Sequence, residues 1–440
     1  MEPYREAIAA ATETIVEAIL RLEVGPESKA LALDGVVRGL LRQVGHAAMT
    51  NLLKRLSVQV TAAAALDAGV GVERRPQIDV LTLFGIIAVE SPYLWGGKGT
   101  CGCRPVEKVL GLTHRKQTPA LERALVDFGS EESFGQSAKR FEEHYGFALD
   151  RTTIRRVVEG HARLTEKFVE KKLAASRERY AESLATRPGA ETMLVELDGC
   201  EIRTGTLIPG ETLETTPVRG GLKKRRKEQW REVRVGLARP LDQIDATFVA
   251  RMDRYEVVTA QIFAAACERG LSSRTKVVGV ADGGNGLREE FQAQFPGSQF
   301  IYDRYHLKHH LYETAEEIGL HGNERETWVN DLLGRIDSGR VETVLERLAA
   351  HVGRGKKRVK RLLAHLSRFK DAVHYDAYRA DGLPIGSGEI ESAHRTIPQK
   401  RMKLPGAWWD PDNINPMLAL RATRANGWWN EYWSEERIAA

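Results

Sequence analysis

The chain has 440 residues, 42% hydrophobic and 28% charged, a balance that excludes fibrous and intrinsically disordered classes. At roughly 150 residues per domain it holds about two to four modules. The net charge of +5 and pI near 8.9 are only mildly basic, so any polyanion-binding surface has to come from local clusters. Four cysteines are too few for a disulfide scaffold and fit a reducing compartment. Glu13, Glu17, Arg21 and Glu23 interrupt the first apolar residues before a signal peptide can form, and no apolar run reaches spanning length. A soluble, cytoplasmic protein with no membrane partner is expected.

In chain order, residues 1–77 show apolar spacing of the helical kind, as in Ile15, Ile19, Leu40, Leu41, Val44, Leu52 and Leu53. Residues 78–118 change character: Val80, Leu81, Leu83, Phe84, Ile86, Ile87 and Val89 read as a strand pair bent at Gly85, followed by a turn-rich patch, together a small β element. Residues 119–188 return to helical periodicity. Within them Phe134–Tyr145, a break at Gly146 and a helix over Thr152–His161, capped by Asp150, resemble a helix-turn-helix with Arg151, Arg155 and Arg156 on its exposed face; an ordinary αα-hairpin is the competing reading.

Residues 189–310 alternate between strands and helices. Strands are expected at Met193–Arg203, Trp230–Leu237, Ala246–Arg251, Lys276–Ala281 and Phe300–Tyr302, with helices near Val257–Arg269 and Leu287–Phe295. Three strands, a helix, a strand, a helix and a strand is the order of a ribonuclease-H-like fold. Residues 311–383 read as an all-helical segment, and residues 384–440 as final helices opening around Glu389–Thr396. The fold class is thus multidomain α+β: a helical N-terminal region with a helix-turn-helix, then a ribonuclease-H-like α/β domain interrupted by a helical insertion.

Two acids stand where apolar strands end, Asp198 in Val195-Glu196-Leu197-Asp198-Gly199 and Asp282 in Val280-Ala281-Asp282-Gly283-Gly284. Carboxylates there are costly without a partner, and strand ends of open α/β sheets are where ligands gather. Mg²⁺ prefers carboxylate and phosphate oxygens, and two such ions about 3.5–4 Å apart serve both ends of an in-line displacement. A further acid comes from Gly388-Glu389-Ile390-Glu391-Ser392-Ala393-His394, where Glu389 and Glu391 are two apart and cannot share a helix face.

These segments, with Tyr302-Asp303-Arg304-Tyr305-His306, together resemble bacterial insertion-sequence transposases of the DDE type, most of all the Kra-type group, over roughly Ile78 to Trp433. The resemblance implies a ribonuclease-H-like catalytic domain whose metal-binding triad is Asp198, Asp282 and Glu391, holding two Mg²⁺ or Mn²⁺ ions. The family places its glutamate directly before Ser-Ala-His, which selects Glu391. Asp303, His306, Glu389 and His394 are then expected to support the site. The implied partners are double-stranded DNA, at the transposon ends and the target, and further copies of the chain, as a homodimer or larger assembly on DNA in a bacterial nucleoid. Cleavage would free a 3′ hydroxyl that attacks target DNA. The rival readings are another ribonuclease-H-like nuclease and a non-catalytic DNA-binding protein derived from a transposase.

Basic clusters supply the expected DNA contacts: Arg151, Arg155 and Arg156; Lys223, Lys224, Arg225, Arg226 and Lys227 on a hairpin; Lys356, Lys357 and Arg358 in the insertion; and Arg395, Lys400 and Arg401 after the triad glutamate. Solvated charge is the bland alternative for each. Trp408, Trp409, Trp428, Trp429 and Trp433 are expected to fill a core rather than stack on bases. Neither Cys101-x-Cys103 nor His309-His310 has the spacing of a zinc site.

Overall fold

The computed structural model describes residues 9, 12–13, 15–17, 20–21, 30–97, 102–112, 116–183, 189–212, 224–353 and 356–439. The protein is mixed α and β and divides into two compact units, Met1–His161 with Trp433–Ala440, and Ala162–Tyr432.

The first unit holds α1 (Ala30–Ala68), β1 (Gly71–Arg74), β2 (Gln77–Thr82), β3 (Gly85–Glu90), β4 (Tyr93–Trp95) and α2 (Pro105–Val109). The strand pair expected around Gly85 is an antiparallel hairpin with Thr82 facing Gly85. Gly85 sits at φ +111, which side-chain-bearing residues resist, and the Thr82 hydroxyl donates to its carbonyl at 2.9 Å. The two-residue period of the strands turns Ile78, Val80, Ile87 and Val89 inward, where they form a core with Leu53 and Val106.

Next come α3 (Pro119–Glu131), α4 (Phe134–Tyr145) and α5 (Arg151–Ser183). Ser133 caps α4 through the Gln136 N–H at 3.2 Å, Gly146 at φ +77 ends it, and Asp150 caps α5 through the Thr152 N–H at 2.7 Å. The second helix of the expected helix-turn-helix, Thr152–His161, lies within helical periodicity that runs to about Arg187, and α5 accordingly continues to Ser183. Neither proline nor glycine follows His161 in that stretch, and the buried residues Ala162, Phe168, Val169 and Leu173 keep the helical spacing.

The second unit is built on a five-stranded sheet in the order β7-β6-β5-β8-β9. β5 (Thr192–Thr212) and β6 (Lys224–Pro240) form a long antiparallel hairpin, and β7 (Thr247–Arg251) adds antiparallel to β6. After α6 (Tyr255–Glu268), β8 (Lys276–Ala281) pairs parallel with β5. After α7 (Leu287–Gln294), β9 (Gln299–Tyr302) pairs parallel with β8. The outer edge of β7 is protected: Phe248 N–H donates to Asn426 Oδ1 and Met252 N–H to Asn415 Oδ1, both at 2.7 Å.

Glycines let helices lie directly on this sheet. A Cβ at Gly279 in β8 would run into the ring of Phe291 on α7. Gly279→Val is therefore expected to destabilise the fold by about 1–3 kcal/mol, the usual cost of overpacking a core, seen as a lowered urea midpoint; an unchanged midpoint would mean α7 moves aside freely.

Beyond β9 the chain is helical through α8 (Arg304–Glu317), α9 (Gly322–Asp337), α10 (Val341–Ala350), α11 (Lys357–Arg368) and α12 (Tyr375–Ala380). On α11, Val359, Leu362 and Leu366 are buried while Lys357, Arg358, Lys360 and Arg361 are exposed. The chain returns to the sheet with α13 (Gly388–His394), a π turn at Arg395–Gln399, α14 (Lys400–Met402), α15 (Ile414–Ala425) and α16 (Trp429–Ala439). Pro398 lies inside the π turn; lacking an N–H, it cannot make the regular helical bond. Trp409, Trp428 and Trp433 are buried, the packing role expected of them, while Trp408 and Trp429 are only half-buried. No helix among the described residues is long and apolar enough to cross a membrane.

Candidate active site

Register alone brings three aspartates into a row. Leu197 of β5 faces Ala281 of β8, and Ala281 faces Tyr302 of β9. Asp198, Asp282 and Asp303 are the next residues along, so they leave adjacent parallel strands at one level, and parallel neighbours in register share a face. The pairing of β5 with β8 stops there, and β5 gains another neighbour only at Arg203, whose carbonyl accepts the Trp409 N–H at 3.0 Å. Between those contacts this edge of β5 has no strand partner, at the strand ends where ligands usually lie in such a sheet.

The three carboxylates differ in environment. Burial pushes the Asp198 carboxyl above the ordinary range, Asp282 and Asp303 add to the push, and the Gly199 N–H and His306 oppose it. Gly199 N–H donates to Asp198 Oδ1 at 2.7 Å, and Gly284 N–H donates to Asp282 Oδ1 at 3.1 Å. Asp303 is fully buried. Burial by itself would raise it, but His306 and Ser387 outweigh that and bring it down to about 2. The N–H groups of Tyr305 (2.6 Å) and His306 (3.0 Å) reach its Oδ1, while the Ser387 N–H (2.7 Å) and hydroxyl reach its Oδ2. With its acceptor capacity taken, Asp303 serves as the bracket that ties the start of α8 to the loop before α13.

His306 Nδ1 lies 3.6 Å from Asp303 Oδ2. Asp303 first, against burial, and then Asp198 and Asp282 raise its pKa to about 9. At neutral pH it is an imidazolium beside the aspartate row.

Helix α13 brings the glutamates. Glu389 is gripped by Arg239 of β6, whose Nε donates at 2.8 Å and whose Nη2 also contacts it; the same guanidinium donates to the carbonyls of Pro240, Leu241 and Gln243. Ile390 N–H donates to Glu196 Oε2 at 2.8 Å. Glu196, 1% exposed, is pushed by burial up to about 8, with Glu389 and Asp303 adding to the shift. Glu391 is half-buried and lies one turn before His394, so the two share a helix face. His394 Nε2 approaches Asp198 Oδ2 to 3.5 Å, and burial lowers its pKa to about 4; it is neutral, with both ring nitrogens buried and lacking hydrogen-bond partners.

The structure thus gathers Asp198, Asp282, Asp303, His306 and His394, sets Glu391 beside His394, and commits Glu389 to Arg239. Among the described residues no three or more His, Cys, Asp or Glu side chains are spaced to enclose a metal ion.

Sequence reasoning passed over Glu196 and Arg239. Glu196 carried a signal, a carboxyl inside an apolar run and two residues from Asp198, hence on the same strand face.

The basic residues fare unevenly. Arg151, Arg155 and Arg156 are exposed on α5, as are Lys227, Lys357, Arg358, Arg395 and Lys400. Arg401, expected on the DNA surface, is instead buried at 3% exposure, with its guanidinium 4.9 Å from the Trp409 ring; a cation resting on an aromatic face is held in the interior. Lys356 turns its ammonium to the Glu317 carbonyl. Lys223 and Cys101 lie outside the described residues, as do the side chains of Lys224, Arg225 and Arg226. Cys103 is exposed and free.

Compared with known proteins, the chain matches no family model, and no curated protein matches it.

Proposed function

We propose that this protein is a DDE-type transposase with a ribonuclease-H-like catalytic domain, cutting DNA at transposon ends and joining it to a target. The observation that carries the reading is the level pairing of Asp198 with Asp282 on adjacent parallel strands, in a sheet whose first three strands are antiparallel and whose last two are parallel. The helices between β9 and α13 correspond to the insertion such enzymes carry, and α4 with the start of α5 to a helix-turn-helix.

Two Mg²⁺ or Mn²⁺ ions would be held by Asp198, Asp282 and Glu391. The donor set suits them: Mg²⁺ is commonly held by one or two carboxylates, with water and substrate phosphate completing the shell. The desolvated Asp198, raised further by two neighbouring aspartates, is short of positive charge. When bound, such ions activate the attacking oxygen and stabilise the leaving one. The chain's own residues do the rest. His306 offsets part of the carboxylate charge and stands ready to meet a phosphate. His394, neutral and buried, packs against Asp198. Asp303 fixes the loop from which α13 starts, and Arg239 holds Glu389 so that Glu391 is the acid left on the His394 face. Hydrolysis releases a 3′ hydroxyl at each end, and that hydroxyl then displaces a phosphate oxygen in target DNA. Joining two ends calls for at least a dimer.

The test is to incubate the purified protein with the DNA flanking its own gene and Mg²⁺ or Mn²⁺, then map nicks and strand-joined products. Joined products mark a transposase, nicks without joining another nuclease of the same fold, and binding without nicks a non-catalytic DNA-binding protein.

The exposed arginines of α5 make a second expectation. Replacing Arg151, Arg155 and Arg156 by alanine should reduce the slope of log affinity against log salt by about 0.9 for every phosphate these side chains neutralise, read by fluorescence anisotropy. An unchanged slope removes α5 from the DNA surface.

A further inference from the structure

A cavity of about 410 Å³ opens beside the loop that follows β8, between α8 and α11. At about 30 Å³ per water it has room for roughly a dozen waters, more than a lone phosphate needs and enough for a sugar-phosphate unit. Asp282 lines it. The loop is pressed against α11, since a Cβ at Gly283 would collide with His365 Nε2 and lie 2.7 Å from the Phe369 ring. The remaining wall is basic: Arg358, Arg361, His310 and His365, with Glu313 as the opposing charge.

The pairing within that wall decides what it can hold. Glu313 is shared by His310 Nδ1 at 3.4 Å and Arg358 at 3.7 Å. Arg361 has no ion pair or hydrogen bond among the described residues and lines the same cavity as Asp282. A guanidinium carries a fork of donors matched to phosphate oxygens. Burial and then His310 lower the His365 pKa, and with Arg358 tied to Glu313, Arg361 is the guanidinium of that wall without a partner among the described residues.

We infer that this cavity seats one backbone phosphate of the DNA strand adjoining the phosphate being cut, with Arg361 as its contact. The inference rests on the reading of Asp282 as part of a DNA-cleaving site and adds to it a defined point where the helical insertion grips the substrate.

The experiment is a double replacement. Neutral methylphosphonates are placed singly at the three phosphates on either side of the mapped nick, and single-turnover cleavage at subsaturating protein is compared for wild type and Arg361→Ala. Wild type should lose about tenfold at one position, the scale of one charge-assisted hydrogen bond. Arg361→Ala should lose about tenfold on unmodified DNA and nothing further at that position, with independent losses elsewhere; Arg361→Lys should recover part of the rate. Circular dichroism checks that the variants fold, as expected for an exposed side chain. Cleavage by Arg361→Ala at the wild-type rate, or losses that multiply at every position, overturns the inference. If wild type cleaves and Asp282→Asn does not, such a result overturns the phosphate seat alone, whereas wild type that fails to nick overturns the transposase reading and this inference with it.

Discussion

Asparagine at Asp198 or Asp282 is expected to abolish Mg²⁺-dependent nicking, by roughly three orders of magnitude or more, the scale on which groups that act as a unit fail when one is removed. DNA binding should persist. The replacement is nearly isosteric and keeps an acceptor for the Gly199 N–H at position 198 and for the Gly284 N–H at position 282, so local structure has no reason to change. Stability should move the other way. Asp198 is held above its ordinary pKa chiefly by burial, with Asp282 and Asp303 adding repulsion, and removing one charge from such a row relieves the metal-free protein. Mg²⁺ should raise the melting temperature of wild type, since a ligand bound only by the folded state stabilises it, and should leave Asp198→Asn and Asp282→Asn nearly unmoved. Glu389→Gln should still nick, because Glu389 belongs to Arg239, whereas Glu391→Gln should not. Nicking retained in either aspartate variant would remove this row of carboxylates from the chemistry.

What the sequence made legible follows the range over which each interaction acts. β8 matches its expected span because a continuous apolar run between polar turns is a local pattern. The α4 boundaries match because Ser133 and Gly146 are local signals. The hairpin of β5 and β6 extends well past the expected strands, to Thr212 and from Lys224, since the sequence of its outer part has no sustained apolar alternation to show it. Pro398 reads as a helix end, but the chain continues through a π turn, and Arg421 from α15 donates to the carbonyls of Thr396 and Ile397. The level of Asp198 with Asp282 depends on strand register, and the commitment of Glu389 to Arg239 joins residues 150 positions apart. Neither leaves a trace in spacing.

Glu196 is where that long-range arrangement can be tested without touching the aspartates. Its carboxyl accepts the Ile390 N–H in the first turn of α13, the helix that carries Glu391 and His394. Glu196→Gln keeps a neutral acceptor of the same shape and should cleave within a few-fold of wild type. Glu196→Leu fills the space but strands a buried N–H, a loss of about 1–3 kcal/mol; it should fold yet cleave at least about tenfold more slowly as the start of α13 loses its anchor. The pH dependence reports the burial of the carboxyl, which raises its pKa while the Ile390 N–H opposes the rise. The folded pKa of Glu196 is about 8 against a reference of 4.5, so its contribution to stability is fully present below 4.5 and is lost as pH rises through 8. Glutamine has no such dependence. In metal-free buffer the urea midpoint of Glu196→Gln, relative to wild type, should therefore climb steadily between pH 5 and pH 8. A difference that stays constant over that interval would mean that the carboxyl is not desolvated, and equal cleavage by the glutamine and leucine variants would mean that it does not hold α13 in place.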